Sequence, residues 1–125
     1  HQLATERVAK VGLSGQVTVL ISDYRDLDGS FDKLASIEMI EAVGHHYFKT
    51  FFETCARLLK PHGKAAIQAI TIQDRFYQQA RREVDFIKKY IFPGSGMTAV
   101  SVLAEAARDT DLRLVHLEDI TPHYA

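Results

Sequence analysis

Residues 45–60, HHYFKTFFETCARLLK, carry Tyr47, Phe48, Phe51, Phe52, Cys55, Leu58 and Leu59 at helical spacing. That pattern makes one wide apolar face on an amphipathic helix, and such a face has to be buried. The flanking segments say against what. Pro61, His62 and Gly63 stop the helix. KAAIQAITI at 64–72 is then a short apolar run between a turn and a new helix, which reads as a buried strand. Upstream, QVTVLIS (16–22) and FDKLASIE (31–38) are rich in β-branched and apolar residues, and downstream LRLVHLED (112–119) alternates; all three read as strands. Further helices are predicted over 4–12, closing on Gly12, over 73–91, and from a Thr98 cap through Asp109. Strands separated by helices point to a mainly parallel α/β sheet with helices on both faces.

The chain has 125 residues, enough for one domain at most, and 46% hydrophobic residues, enough for one core. Its net charge of −1 supplies no basic field for nucleic acid. Cys55 is the single cysteine, which excludes an intrachain disulfide and a cysteine-based zinc site and suits a reducing cytoplasm. No run approaches the ~18–20 consecutive apolar residues of a membrane-spanning helix. The chain opens on His1, partway through a helix, and closes just after a strand-like run. The expectation is therefore one partial domain, residues 1–125, of something longer.

In open parallel sheets, ligands sit beyond the carboxyl ends of the strands. Asp23 and Tyr24 follow the first predicted strand, Glu38 and Glu41 the second, and His123 and Tyr124 the fourth, while Gln68 and Thr71 lie late in the third. This convergence marks a candidate site. Asp23 equally reads as a turn-former that bonds nearby backbone, and Glu38 and Glu41 as a solvated pair on a helical turn. His45 and His46 are adjacent on a helix and so point about 100° apart, a poor chelate; no metal is expected. Cys55 reads as an inert buried thiol. On 73–91, Phe76, Ala80, Val84, Ile87 and Ile91 share one face, and Arg75, Arg81, Arg82, Lys88 and Lys89 lie largely elsewhere. Those basic residues form either a solvated face or a contact for anionic lipid headgroups.

Taken in order, DYRDL (23–27), SIEM-x-EAVGH (36–45), LLKP-x-G (58–63) and YIFPG (90–94) resemble the cyclopropane fatty-acyl-phospholipid synthases, which include the mycolic acid cyclopropane synthases. The similarity runs from about residue 15 to 125. It implies a Rossmann-like fold of the S-adenosylmethionine (AdoMet)-dependent methyltransferases. The chain would be a C-terminal-side fragment lacking the first two strands and the last, with the glycine-rich AdoMet loop upstream. The resemblance implies that Asp23 and Tyr24 border the adenine and that Ser36, Ile37 and Glu38 line the AdoMet pocket. It also implies a bicarbonate ion serving as base, held by Glu41, the Ile70 backbone and Tyr124. A fourth position, often His in the family, is Gln68 here; Gln donates a hydrogen bond but takes no proton at neutral pH. The implied reaction is methylene transfer from AdoMet to the cis double bond of phospholipid acyl chains. It would take place in the cytoplasm at the inner face of the membrane, without nucleic acid and with a homo-oligomer as one arrangement. A related methyltransferase with another acceptor, or a non-catalytic scaffold domain, are the alternatives.

Overall fold

The computed structural model describes residues 1–84 and 86–124. Its elements are helix α1 (Gln2–Lys10), strand β1 (Phe31–Ile37), the short helix α2 (Ile40–Val43), helix α3 (Phe48–Leu58), strand β2 (Leu59–Gln68), helix α4 (Asp74–Arg82) and helix α5 (Val100–Ala107). Single tight turns stand at Tyr24–Asp26, His45–Tyr47 and Thr121–Tyr124, and a π-type turn at Ile87–Ile91.

The unit β1–α2–α3–β2 is the centre of the molecule. β1 and β2 pair in parallel, with Leu34 opposite Ala65, Ser36 opposite Ile67 and Ile37 opposite Gln68. A parallel pair needs a crossover connection, and α3 supplies it. The apolar face read from the sequence makes the core: Phe48, Phe51, Phe52, Cys55 and Leu58 are buried. Ile40 joins them, and Leu34, Ile67, Val102, Leu103 and Ala106 pack around the cluster. Phe51 and Phe52 meet edge to face at 5.3 Å between ring centroids, a favoured aromatic geometry. Two residues of the predicted face depart from it. Tyr47 is half exposed on the turn before α3, and Leu59 opens β2 instead of closing the helix.

β2 begins earlier than expected and takes in Pro61, His62 and Gly63, which the sequence reading took as a stop. His62 turns left-handed at φ 67°, and a Cβ on Gly63 would meet the Lys60 carbonyl oxygen at 2.9 Å. The irregularity in the register between Phe31 and Lys33 fits this bulged start. β2 also ends at Gln68, short of the predicted 72; Thr71 forms an isolated parallel bridge to Thr98.

Three expectations fail. Residues 16–22 and 112–119 are not strands, and among the described residues β1 and β2 form the only sheet. An apolar run becomes a strand only where a ladder partner takes its backbone groups, and neither segment has one. Ile21 and Val115 stay exposed. The third failure is helix 73–91, which ends at Arg82. Of α4's side chains only Tyr77 is buried. Phe76 and Val84, placed on the packed face by the sequence pattern, are exposed.

Candidate active site

β1 ends in the strained backbone of Glu38, whose φ of 48° lies in the left-handed region that non-glycine residues seldom occupy. The turn lifts the Glu38 carboxylate off the strand line and over the end of β2. There Oε1 accepts hydrogen bonds from Gln68 Nε2 at 2.9 Å and from the Tyr124 hydroxyl at 2.5 Å. Gln68 Nε2 also touches the Tyr124 hydroxyl. The Glu38 backbone N–H donates to the Gln68 carbonyl at 2.9 Å, which fixes the two strand ends together. Tyr124 arrives on the Thr121–Tyr124 turn. Its hydrogen bond to Glu38 is the largest cause raising the phenol pKa above its ordinary value.

One turn further, α2 presents Glu41 to the same strand end. Oε1 accepts the Ile70 backbone N–H at 2.5 Å. Oε2 is buried and has no hydrogen-bond partner. The Glu41 carbonyl accepts from the Gly96 N–H at 3.0 Å, so the 94–97 loop is tied to the same residue. Glu41, Gln68, Ile70 and Tyr124 thus gather at one strand end, and Glu38, which the resemblance set apart in the AdoMet pocket, joins them there through Gln68 and Tyr124. The Ser36 hydroxyl, also buried and without a partner, lies two residues back on β1. Ile37 points away and is exposed.

On the other side of α2 lies a cleft of about 330 Å³ lined by Asp23, Tyr24, Arg25, Met39, Ala42, Val43 and Tyr47. Asp23 caps the Tyr24–Asp26 turn by accepting the Arg25 N–H at 2.9 Å, and its second oxygen pairs with the Arg25 guanidinium at 2.6 Å. These bonds hold the Asp23 carboxyl down at about 2. Tyr24 packs on Phe51 at 5.8 Å between centroids, and desolvation raises its pKa. Asp23 and Tyr24 both stand in the wall of this cleft. The sequence reading missed Arg25, Met39, Val43 and Tyr47. An Asp two residues before an Arg in a loop was the available signal for the first.

The site residues fit an adenosyl cofactor. Tyr24, Met39, Val43 and Tyr47 offer flat and apolar surfaces for an aromatic base, and Asp23 and Arg25 supply polar groups at the rim; the buried Ser36 hydroxyl is not in the wall of this cleft. They do not fit a bound bicarbonate. The Ile70 amide already donates to Glu41, and the Tyr124 hydroxyl and Gln68 amide both donate to Glu38. A second cavity, about 260 Å³, lies between the end of α4 and the 94–97 loop, with His45, Phe48, Tyr77, Arg81, Lys88 and Met97 in its wall. His45 and His46 stack at 3.8 Å between centroids, and burial is the first cause lowering the His45 pKa. Among the described residues no three His, Cys, Asp or Glu side chains gather as a metal site.

All 125 residues match the family described as mycolic acid cyclopropane synthetase. The chain belongs to this family. It is 38% identical over 126 aligned positions to the tuberculostearic acid methyltransferase UfaA1 of Mycobacterium tuberculosis, an alignment covering 100% of the chain and 30% of that protein. It is 36% identical over 92 positions to the cyclopropane-fatty-acyl-phospholipid synthase of Escherichia coli, covering 73% of the chain and 23% of the relative. Among solved structures, the mycolic acid cyclopropane synthase CmaA1, in complex with SAH and CTAB, superposes with a TM-score of 0.76 at 22% identity, over 98% of the chain and 48% of that structure. The fold is thus the α/β fold of the cyclopropane synthases. The chain spans about half the length of that solved relative and less than a third of the two curated ones.

Proposed function

We propose that this chain is part of an AdoMet-dependent methyltransferase that adds a one-carbon unit to the cis double bond of unsaturated phospholipid acyl chains. One observation carries the reading. The segment Met39–Val43 belongs to both places: Met39, Ala42 and Val43 line the cleft of about 330 Å³, and Glu41 of the same turn joins the strand-end cluster of Glu38, Gln68 and Tyr124. A donor held in the first would face a lipid alkene held at the second. Family membership and the SAH named in the CmaA1 complex support the donor assignment.

When bound, AdoMet supplies an electrophilic methyl group on a sulfonium. This chain's residues do the rest. Asp23, kept anionic by Arg25, holds the loop that borders the base, and Tyr24 gives it a flat wall. Attack by an alkene leaves positive charge on a carbon. The unpartnered Oε2 of Glu41 would stabilise such a charge, because that oxygen is itself withheld from water and held in place by the bond from Ile70 to Oε1. The second cavity, with Arg81 in its wall beside Glu83 and with Lys88 Nζ already donating to the Glu83 carbonyl, is where an anionic headgroup would rest, held chiefly by Arg81. The proposed encounter with lipid is at the membrane surface, on the inner face; no helix among the described residues is long and apolar enough to cross a membrane.

The test is to incubate the full-length protein with AdoMet and vesicles of cis-unsaturated phospholipid and to weigh the acyl chains. A gain of one carbon, with release of S-adenosylhomocysteine, is expected. Transfer to a free fatty acid or sphingolipid but not to phospholipid would favour the alternative acceptor. No transfer to any of them would leave a scaffold domain.

A further inference from the structure

We propose that Glu38 is the base of this site and takes the place that a bicarbonate ion was expected to fill. The proposal rests on the methyl-transfer reading above. Two of the donors expected to grip an external anion, the Tyr124 hydroxyl and the Gln68 amide, converge instead on the Glu38 carboxylate. The chain holds Glu38 in a left-handed conformation to bring this about. Strain of that kind persists where surrounding contacts over-determine it. Gln68 completes the arrangement. A basic side chain there would form an ion pair with Glu38 and draw it out of base chemistry, whereas an amide donates one hydrogen bond and leaves the carboxylate its charge.

Both bonds fall on Oε1, which leaves Oε2 to accept a proton. The electron balance follows. The alkene π pair forms the new carbon–carbon bond to the donor methyl while the carbon–sulfur pair leaves on sulfur. The neighbouring carbon becomes cationic. Oε2 of Glu38 removes a proton from a carbon beside it, and the released C–H pair closes a ring or forms a new double bond. Glu38, exposed at the strand end, then returns its proton to water.

The test uses the full-length protein with AdoMet and unsaturated phospholipid vesicles, in buffer stripped of carbon dioxide and in buffer with added bicarbonate. The unaltered protein should turn over at the same rate in both. Glu38→Gln should lose turnover by about 10²-fold or more, the usual cost of removing a general base, while AdoMet affinity measured by calorimetry stays. Glu38→Gly suits the left-handed backbone and frees Tyr124 and Gln68, so it should be slow without bicarbonate and recover at least about tenfold with it. That rescue separates a lost base from a damaged fold. An unaltered protein that stops in stripped buffer, or a Glu38→Gln variant with near-normal turnover, would overturn this proposal and leave the methyltransferase reading intact. No methyl transfer by the unaltered protein would sink both.

Discussion

Glu41→Gln removes a charge and almost nothing else. The amide oxygen of Gln can still accept the Ile70 N–H that Oε1 accepts at 2.5 Å, and the main-chain bond from Gly96 is untouched. A hydrogen bond to a charged group contributes roughly 1.5–3 kcal/mol and a neutral one roughly 0.5–1.5, so the swap costs about 1 kcal/mol. The Gln NH₂ then stands where Oε2 stood, a buried position without a partner. Oε2 already carries such a penalty, so an unpaired amide in its place exchanges one desolvation cost for another and adds little. The total is a thermal midpoint lowered by a few degrees, not an unfolded protein. Turnover should fall much further, by about 10²–10⁴, because the charge opposite the developing cation is gone. AdoMet affinity should barely move, since Glu41 is absent from the wall of the adenosyl cleft. The assay is single-turnover product formation beside calorimetric AdoMet titration on the full-length protein. An unchanged kcat would refute the electrostatic role, and a parallel loss of AdoMet affinity would move Glu41 into the cofactor site.

Tyr124→Phe removes one of the two donors on Glu38, and single-turnover rates should fall by about tenfold, less than for Glu41→Gln. Asp23→Asn should weaken AdoMet binding by loosening the Tyr24–Asp26 turn. The depressed Asp23 value means its pairing is complete above 3.8 and lost only as pH falls through about 2, so titration calorimetry should show no Asp23-linked pH dependence between neutrality and mild acid. Burial pushes the Cys55 thiol from 9.0 up to about 11, so native Cys55 should alkylate at least ~100-fold more slowly than in urea, and rapid native labelling would refute its burial. The same shift makes its share of stability full below 9.0 and lost as pH rises through about 11. Residues 1–125 expressed alone should bind AdoMet too weakly for calorimetry, since no glycine-rich phosphate-type loop lies within them.

What the sequence revealed was whatever is encoded locally. The α3 face could be read because seven apolar residues recur at helical spacing, and five of them form most of the core. The site could be read because strand ends collect ligands in parallel sheets, and the resemblance supplied which residues matter. Its chemistry was less legible. Nothing in the order SIEM shows that Glu38 turns left-handed, and a hydrogen bond over 86 residues to Tyr124 has no local signature. The break in 73–91 was hidden for a different reason. Arg81, Arg82 and Glu83 are good helix formers, and the chain leaves the helix there although propensity would continue it.

The two missing strands have a cause in surface area. A compact folded monomer of 14.1 kDa is expected to expose about 6,700 Å². This chain exposes 9808 Å². Part of the excess lies where strand patterns failed to become strands, at Leu20 and Ile21 in the first run and at Leu114, Val115 and Leu117 in the last; Val84, Phe86, Tyr90 and Phe92 around the π-type turn are as exposed. Alternating or β-branched sequence records a preference for a pleated, half-buried surface, and that preference is expressed only beside a partner. β1 and β2 found each other because α3 brings them into register and buries one shared face. The run at 16–22 has no helix between itself and β1, and although α5 packs on the core, the run at 112–119 that follows it pairs with neither β1 nor β2. Their apolar side chains keep the pattern of strands and the exposure of loops, while the β1–α3–β2 unit, covered by Val102, Leu103 and Ala106 of α5, holds Glu38 and Glu41 at the strand ends.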